Sequence, residues 1–155
     1  MGYIKVFRIL NRILDHPLTR ENKLSALERF IRWEIGSRVL RQPVIMDFVR
    51  STKLVVEKGM TADTGNLYKG MDEFEDMSFV IHSLRPDDRF IDIGANIGSY
   101  TILASGVAGA KSISIEPIDE IYSSLKRNVL LNGLSGKVEC LNIAVSSKNE
   151  ELLIT

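Results

Sequence analysis

One cysteine in 155 residues, Cys140, rules out an internal disulfide and speaks against a cysteine-built metal centre. It falls in an apolar strand pattern, where a buried and inert thiol is expected. No metal site is expected. No apolar run approaches the roughly 18 residues that cross a bilayer, so no membrane span is expected. The opening MGYIKVFRIL has too short an apolar stretch for a secretory signal and shows no small-residue cleavage site. A reducing cytoplasm fits these absences. Basic residues form no aromatic-interleaved patch, so no nucleic-acid partner is expected. There is no internal repeat and no low-complexity segment, and nothing points to an oligomeric state.

What is present is ordinary for a folded domain. The chain is 45% apolar and 26% charged, long enough for one domain or one small domain with an appendage. Its net charge of zero hides a split. Residues 1–60 carry 12 Lys and Arg against 6 Asp and Glu, and residues 61–155 carry 8 against 14. The basic residues are dispersed among apolar ones. The two parts are therefore expected to neutralise one another or face solvent, rather than to mark an anionic partner.

Residues 3–14 set Ile4, Phe7, Leu10 and either Ile13 or Leu14 at helical spacing. A second helix is expected from Thr19 or Glu21 to about Leu40. Thr19 would cap it, and Leu24, Leu27, Phe30, Ile31, Ile35 and Leu40 would form its apolar side. Trp33 reads as a packing residue. Residues 1–43 are thus a helical extension packed on the domain that follows. After Pro43, residues 44–58 alternate like the short strands of a hairpin, and Thr64-Gly65-Asn66 signals a turn. A short helix over Asp72–Leu84 turns Phe74, Met77, Val80 or Ile81, and Leu84 inward. Its acidic first turn suits the positive end of the helix dipole. His82 on this helix reads as structural, and His16 shows no partner.

From Arg89 the pattern alternates. Strands are expected at Arg89–Ile93, Lys111–Glu116 and Val138–Val145, with helices at Ile97–Val107 and Ile118–Leu131. This order implies parallel strands, right-handed crossovers and helices on both faces. The expected fold is α/β, a Rossmann-like parallel sheet in residues 44–155 with an N-terminal helical cap. Glu151–Thr155 starts another strand, and its apolar run stops without a turn or a polar tail. The sheet is accordingly read as incomplete at its C-terminus, the N-terminal portion of a longer protein.

Phe90-Ile91-Asp92-Ile93-Gly94-Ala95-Asn96-Ile97-Gly98 carries the chemistry: a buried strand that runs through a glycine turn into a helix. Such a turn brings backbone N–H groups and a helix N-terminus close to a ligand. A carboxylate two residues before the first glycine would repel a pyrophosphate but suit the ammonium group of an amino-acid-bearing cofactor. This favours S-adenosyl-L-methionine over a dinucleotide. Asn96 can donate and accept hydrogen bonds at the same spot. Glu116, 22 residues after Gly94, ends the next strand, where its carboxylate can accept both hydroxyl hydrogens of a ribose. Glu116 by itself suits NAD equally well. The Gly94-x-x-x-Gly98 spacing and Asp92 separate the two. The end of the third strand, Asn142 to Ala144, is placed beside the adenine, and Tyr68 is a candidate to close over the methionine end.

These residues resemble the class I S-adenosylmethionine-dependent methyltransferases, and within them the FkbM family. The matching segments are Thr64-Gly65-Asn66-Leu67-Tyr68, Glu73-Phe74-Glu75-Asp76-Met77, Leu84-Arg85-Pro86-Asp87-Asp88, the glycine segment from Phe90 to Thr101, Glu116-Pro117, and Asn128-Val129-Leu130-Leu131-Asn132-Gly133. Together they span about residues 43–155. The resemblance implies O-methylation of a sugar or secondary metabolite, hence a small-molecule or glycan acceptor. It also implies cofactor contacts for Asp92, Gly94, Asn96, Gly98 and Glu116. No residue is marked as the catalytic base. Two other readings stand beside it: an NAD- or nucleotide-sugar-binding Rossmann-type protein, and a non-catalytic module whose basic helices bind a membrane or a partner.

Overall fold

In the computed structural model, which describes residues 10–11, 13–19, 22–39, 43–57, 65–66 and 69–148, the first long helix, α1, spans Lys23–Val39. Asn22 caps it: its Oδ1 accepts the Ser25 N–H at 3.2 Å. Thr19, the expected cap, instead turns its Oγ1 to the carbonyls of Ile13 and His16. The buried stripe also differs from expectation. Ala26, Phe30 and Trp33 face inward, while Leu24 is 81% and Ile35 60% exposed. The helix carries two apolar stripes, and the one with two aromatic rings buries the larger area. Leu40, most of the helix expected at residues 3–14 and the strand expected at Glu151–Thr155 lie outside the described residues.

Strands β1 (Val44–Asp47) and β2 (Lys53–Val56) form the expected antiparallel hairpin, with Met46 opposite Leu54. Thr52 closes it, accepting the Val49 N–H at 3.2 Å and donating to the Val49 carbonyl at 2.6 Å. Helix α2 (Phe74–Ser83) begins two residues later than expected, so Asp72 and Glu73 precede it. Met77 is its buried residue.

Next comes the sheet. Strand β3 (Arg89–Ile93) leads into α3 (Ser99–Ile102), which widens into a π-helical turn at Leu103–Val107. Strand β4 (Lys111–Ile115), helix α4 (Asp119–Leu131) and strand β5 (Val138–Leu141) follow. All three strands are parallel, in the order β3-β4-β5, with Asp92 beside Ser114 and Ser114 beside Cys140. Each new strand is added on the same side of the last. Crossovers of one hand then place α3 and α4 on one face, not on two as the alternation alone implied. Asp92, Ser112, Ser114 and Val138 point into that covered face. The other face leaves Ile91 59% and Ile93 64% exposed.

Small hydroxyl residues let α3 lie close to β4. Thr101 Oγ1 and Ser114 Oγ are 2.7 Å apart, and so are Ser105 Oγ and Ser112 Oγ. Asn128, fully buried on α4, ties three parts together. It accepts the Val55 N–H of β2 at 2.7 Å and donates to the Ile97 carbonyl at 2.9 Å. One apolar cluster joins Phe30 and Trp33 of α1, Leu54 and Val56 of β2, and Leu125 and Val129 of α4. A second sets Met77 against Leu103, with His16 edge-on to Phe74 beside it at 5.9 Å between ring centres.

Candidate functional site

At the carboxyl end of β3 the chain folds back over β4. The N–H groups of Gly94 and Ala95 both donate to the Ile115 carbonyl at 2.9 Å. Asn96 takes the left-handed conformation at φ 53°, which an Asn side chain tolerates. The two glycines serve different ends. At Gly94 (φ 75°) no atom lies within 4 Å of where a Cβ would stand, so its backbone meets open space. At Gly98 (φ 92°) a Cβ would come within 2.6 Å of Leu125 Cδ1. Gly94 leaves room for a ligand, and Gly98 lets the glycine turn close on α4.

Two carboxylates frame the turn. Asp92 is 9% exposed, and its Oδ2 accepts the Thr101 hydroxyl at 2.6 Å. Burial pushes its carboxyl above the ordinary aspartate range, the nearby Glu116 charge adds to this, and the Thr101 hydrogen bond opposes it. Glu116, 5% exposed, holds two loops at once: Oε2 accepts the Asn96 N–H at 2.9 Å and Oε1 the Ile118 N–H at 3.1 Å. Each oxygen keeps a lone pair for a further donor.

Beside the turn lies a cleft of about 230 Å³, lined among others by Asp92, Gly94 and Asn96. It brings in residues to which the sequence reading gave no ligand role: Asn66, Asp72, Glu73, Ser99 and Tyr100. Asn66 is 3% exposed; its Nδ2 donates to Ser99 Oγ at 3.2 Å and its Oδ1 accepts the Asp72 N–H at 2.8 Å. Asp72 is ion-paired with Lys69. The signal for Ser99 and Tyr100 was available, since both lie in the first helical turn after Gly98, the part of a helix that faces a ligand.

Gly98 lies behind the cleft wall, against α4. Asn142, just past β5, donates to the carbonyls of Glu116 at 3.0 Å and Pro117 at 3.2 Å, so it braces the Glu116 loop. Ala144 is exposed beyond it. Tyr68 lies outside the described residues. Another cleft, of about 290 Å³, opens between Arg89, Lys111, Lys137 and Glu139 at the amino ends of the strands. It is the larger of the two, but open parallel sheets bind ligands at the carboxyl ends. Among the described residues no group of three or more His, Cys, Asp or Glu is placed to hold a metal ion. No described helix is long and apolar enough to cross a membrane.

The same fold occurs in solved structures. A complex of aTrm5 with tRNALeu matches at a TM-score of 0.57 and 18% identity, over 70% of this chain and 30% of that one. Pyrococcus horikoshii TYW2, solved with MeSAdo, matches at 0.55 and 16%, over 79% and 50%. A SAM-dependent methyltransferase from Agrobacterium tumefaciens matches at 0.52 and 11%, over 64% and 32%. The chain therefore spans between 30% and 50% of the length of these proteins. The exclusion of nucleic acid does not stand, because the aTrm5 structure shows this fold in a protein bound to tRNA. A missing basic patch excludes little, since phosphate contacts need not come from the part of a protein that carries this sheet. No curated protein matches the chain. Residues 52–154, which take in the hairpin's second strand, the glycine turn and Glu116, match the family described as "Vibrio cholerae RfbT protein", and the chain belongs to that family.

Proposed function

We propose that this chain holds S-adenosylmethionine and serves methyl transfer to an oxygen of a sugar or secondary metabolite. The observation that carries the reading is the pair of carboxylates around the glycine turn, Asp92 on β3 and Glu116 past β4. They stand at the carboxyl ends of adjacent strands; Asp92 lines the cleft with Gly94, and Glu116, outside that lining, holds the turn through the Asn96 N–H. The residues fit the cofactor: Asp92 presents a negative charge to an ammonium group, and Glu116 keeps acceptor capacity for ribose hydroxyls. A dinucleotide would place its pyrophosphate near Asp92 and be repelled. The SAM-dependent methyltransferase from Agrobacterium tumefaciens and the MeSAdo complex of TYW2, which share the fold, support the same choice.

When bound, S-adenosylmethionine supplies an electrophilic methyl on sulfur, which an acceptor oxygen takes up in line as the carbon–sulfur bond breaks. The part of this chain in the reaction is positioning. Glu116 fixes the glycine turn through Asn96, Gly94 keeps the backbone clear, and Asp92 orients the cationic end. Within the methyltransferases the FkbM family is the finer reading, carried by the motifs from Thr64 to Gly133. A cytoplasmic location goes with it. A second reading, transfer to RNA, is favoured by the aTrm5–tRNALeu structure. A methyl-transfer assay on the full-length protein, with sugar acceptors in one arm and tRNA in the other, decides between them. Binding of NAD in preference to S-adenosylhomocysteine would overturn both.

A further inference from the structure

Three carboxylates line the cleft beside the glycine turn: Asp72, Glu73 and Asp92. Asp72 is neutralised by Lys69. Asp92 and Glu73 are each held by a hydroxyl. Thr101 donates to Asp92, and the Tyr100 hydroxyl donates to Glu73 Oε2 at 2.7 Å. Burial, followed by the Glu73 hydrogen bond and charge, pushes the Tyr100 phenol well above its ordinary value, so it stays a donor.

Tyr100 belongs to the first turn of α3, immediately beyond Gly98, and Glu73 stands at the start of α2. Their hydrogen bond therefore crosses the cleft wall from the glycine turn to the neighbouring helix. Asn66 makes a second crossing, to Ser99 at 3.2 Å. A side chain at the exposed start of a helix has many rotamers open to it, and fixing it to one aromatic hydroxyl selects an orientation. The result is two carboxylates, Asp92 and Glu73, that face one small cleft with hydroxyls as their partners among the described residues, an arrangement that suits a cationic ligand group.

We infer that Glu73 is a second anionic contact, beside Asp92, for the ammonium-bearing end of the cofactor, and that Tyr100 is the residue that positions it. The inference rests on the S-adenosylmethionine reading. It is tested by calorimetric titration of the full chain with two ligands, S-adenosylhomocysteine and 5′-methylthioadenosine. The second keeps the adenosine and the sulfur but lacks the amino-acid end.

Glu73→Gln is expected to weaken S-adenosylhomocysteine by about fivefold, as for a partly exposed charge contact, and to leave 5′-methylthioadenosine unchanged. Tyr100→Phe is expected to weaken the same ligand by a smaller factor, again sparing the other. Unchanged binding of 5′-methylthioadenosine also shows that each variant is folded. Equal losses for both ligands, or no loss for either, would overturn the inference while the cofactor reading stands. If the unaltered chain binds neither ligand, the cofactor reading falls and the inference with it.

Discussion

Glu116 and Asn96 are joined by a 2.9 Å hydrogen bond from the Asn96 amide to the Glu116 carboxylate, which links the glycine turn to the end of the neighbouring strand. The same carboxylate holds the Ile118 amide at 3.1 Å. The residue read as a ribose acceptor is thus also the clamp that fixes the turn. A ligand meets a site whose backbone is already set, and little conformational freedom is left to lose on binding.

Asn128 is expected to matter for stability and not for ligand contact. Its side chain satisfies the Val55 N–H and the Ile97 carbonyl from a fully buried position. Asn128→Leu leaves both groups unpaired, at about 1–3 kcal/mol each. Thermal unfolding followed by circular dichroism should show a lower midpoint by several degrees or more. A change within error would show that the hairpin is not tied to the glycine turn in this way.

Gly98→Ala is expected to destabilise on two counts. The φ of 92° is strained for any L side chain, and the new methyl would stand 2.6 Å from Leu125 Cδ1. A loss of about 1–3 kcal/mol follows from overpacking, and because Leu125→Ala by itself costs about 2–5 kcal/mol, the double variant Gly98→Ala/Leu125→Ala should lose less than the sum of the two single losses. Gly94→Ala meets no neighbour and should cost only its φ strain, about 1–2 kcal/mol, while its methyl intrudes on the ligand. Urea unfolding measures the first effect and calorimetry the second.

The pH dependence of binding should follow Asp92. Its carboxyl is raised by burial, so on acidification it takes up a proton at a higher pH than an ordinary aspartate. The protonated group no longer attracts an ammonium. Affinity for S-adenosylhomocysteine should therefore fall as pH drops through the raised value, before exposed carboxylates titrate near about 4. For the ligand-free chain the sign is opposite. A folded-state value above the unfolded one means that the ionised form opposes folding. This cost is absent below the unfolded value and appears as pH rises through the folded one. Asp92→Asn should abolish both limbs; an unchanged binding profile in that variant would remove Asp92 from the cation site.

The sheet was legible because each of its elements is short and bounded by glycine, proline or asparagine. Strand β3 falls at Arg89–Ile93 as the pattern predicts, and α4 begins within a residue of its expected start. Other features follow from non-local packing. Leu24 and Ile31 repeat at helical spacing as regularly as Ala26, Phe30 and Trp33 do, and only the burial of the aromatic stripe decides which faces inward. The bare face carrying Ile91 and Ile93 follows from strand order, which hydrophobic alternation does not encode. The site shows the same division. Asp92, Gly94, Asn96 and Glu116 sit at fixed offsets in a motif, whereas Asn66 and Glu73 reach the cleft through a fold-back 20 or more residues upstream of the glycine turn.

The central claim, that the two carboxylates around the glycine turn hold S-adenosylmethionine, is tested most directly by titrating S-adenosylhomocysteine into the chain and into its Glu116→Gln variant. An amide at that position can accept only one of the Asn96 and Ile118 N–H groups, so it loosens the clamp as well as offering a ribose a weaker acceptor. The account predicts saturable binding by the unaltered chain and a loss of at least about tenfold, or 1.4 kcal/mol, in the variant. No binding by the unaltered chain, or equal binding by both, would contradict it.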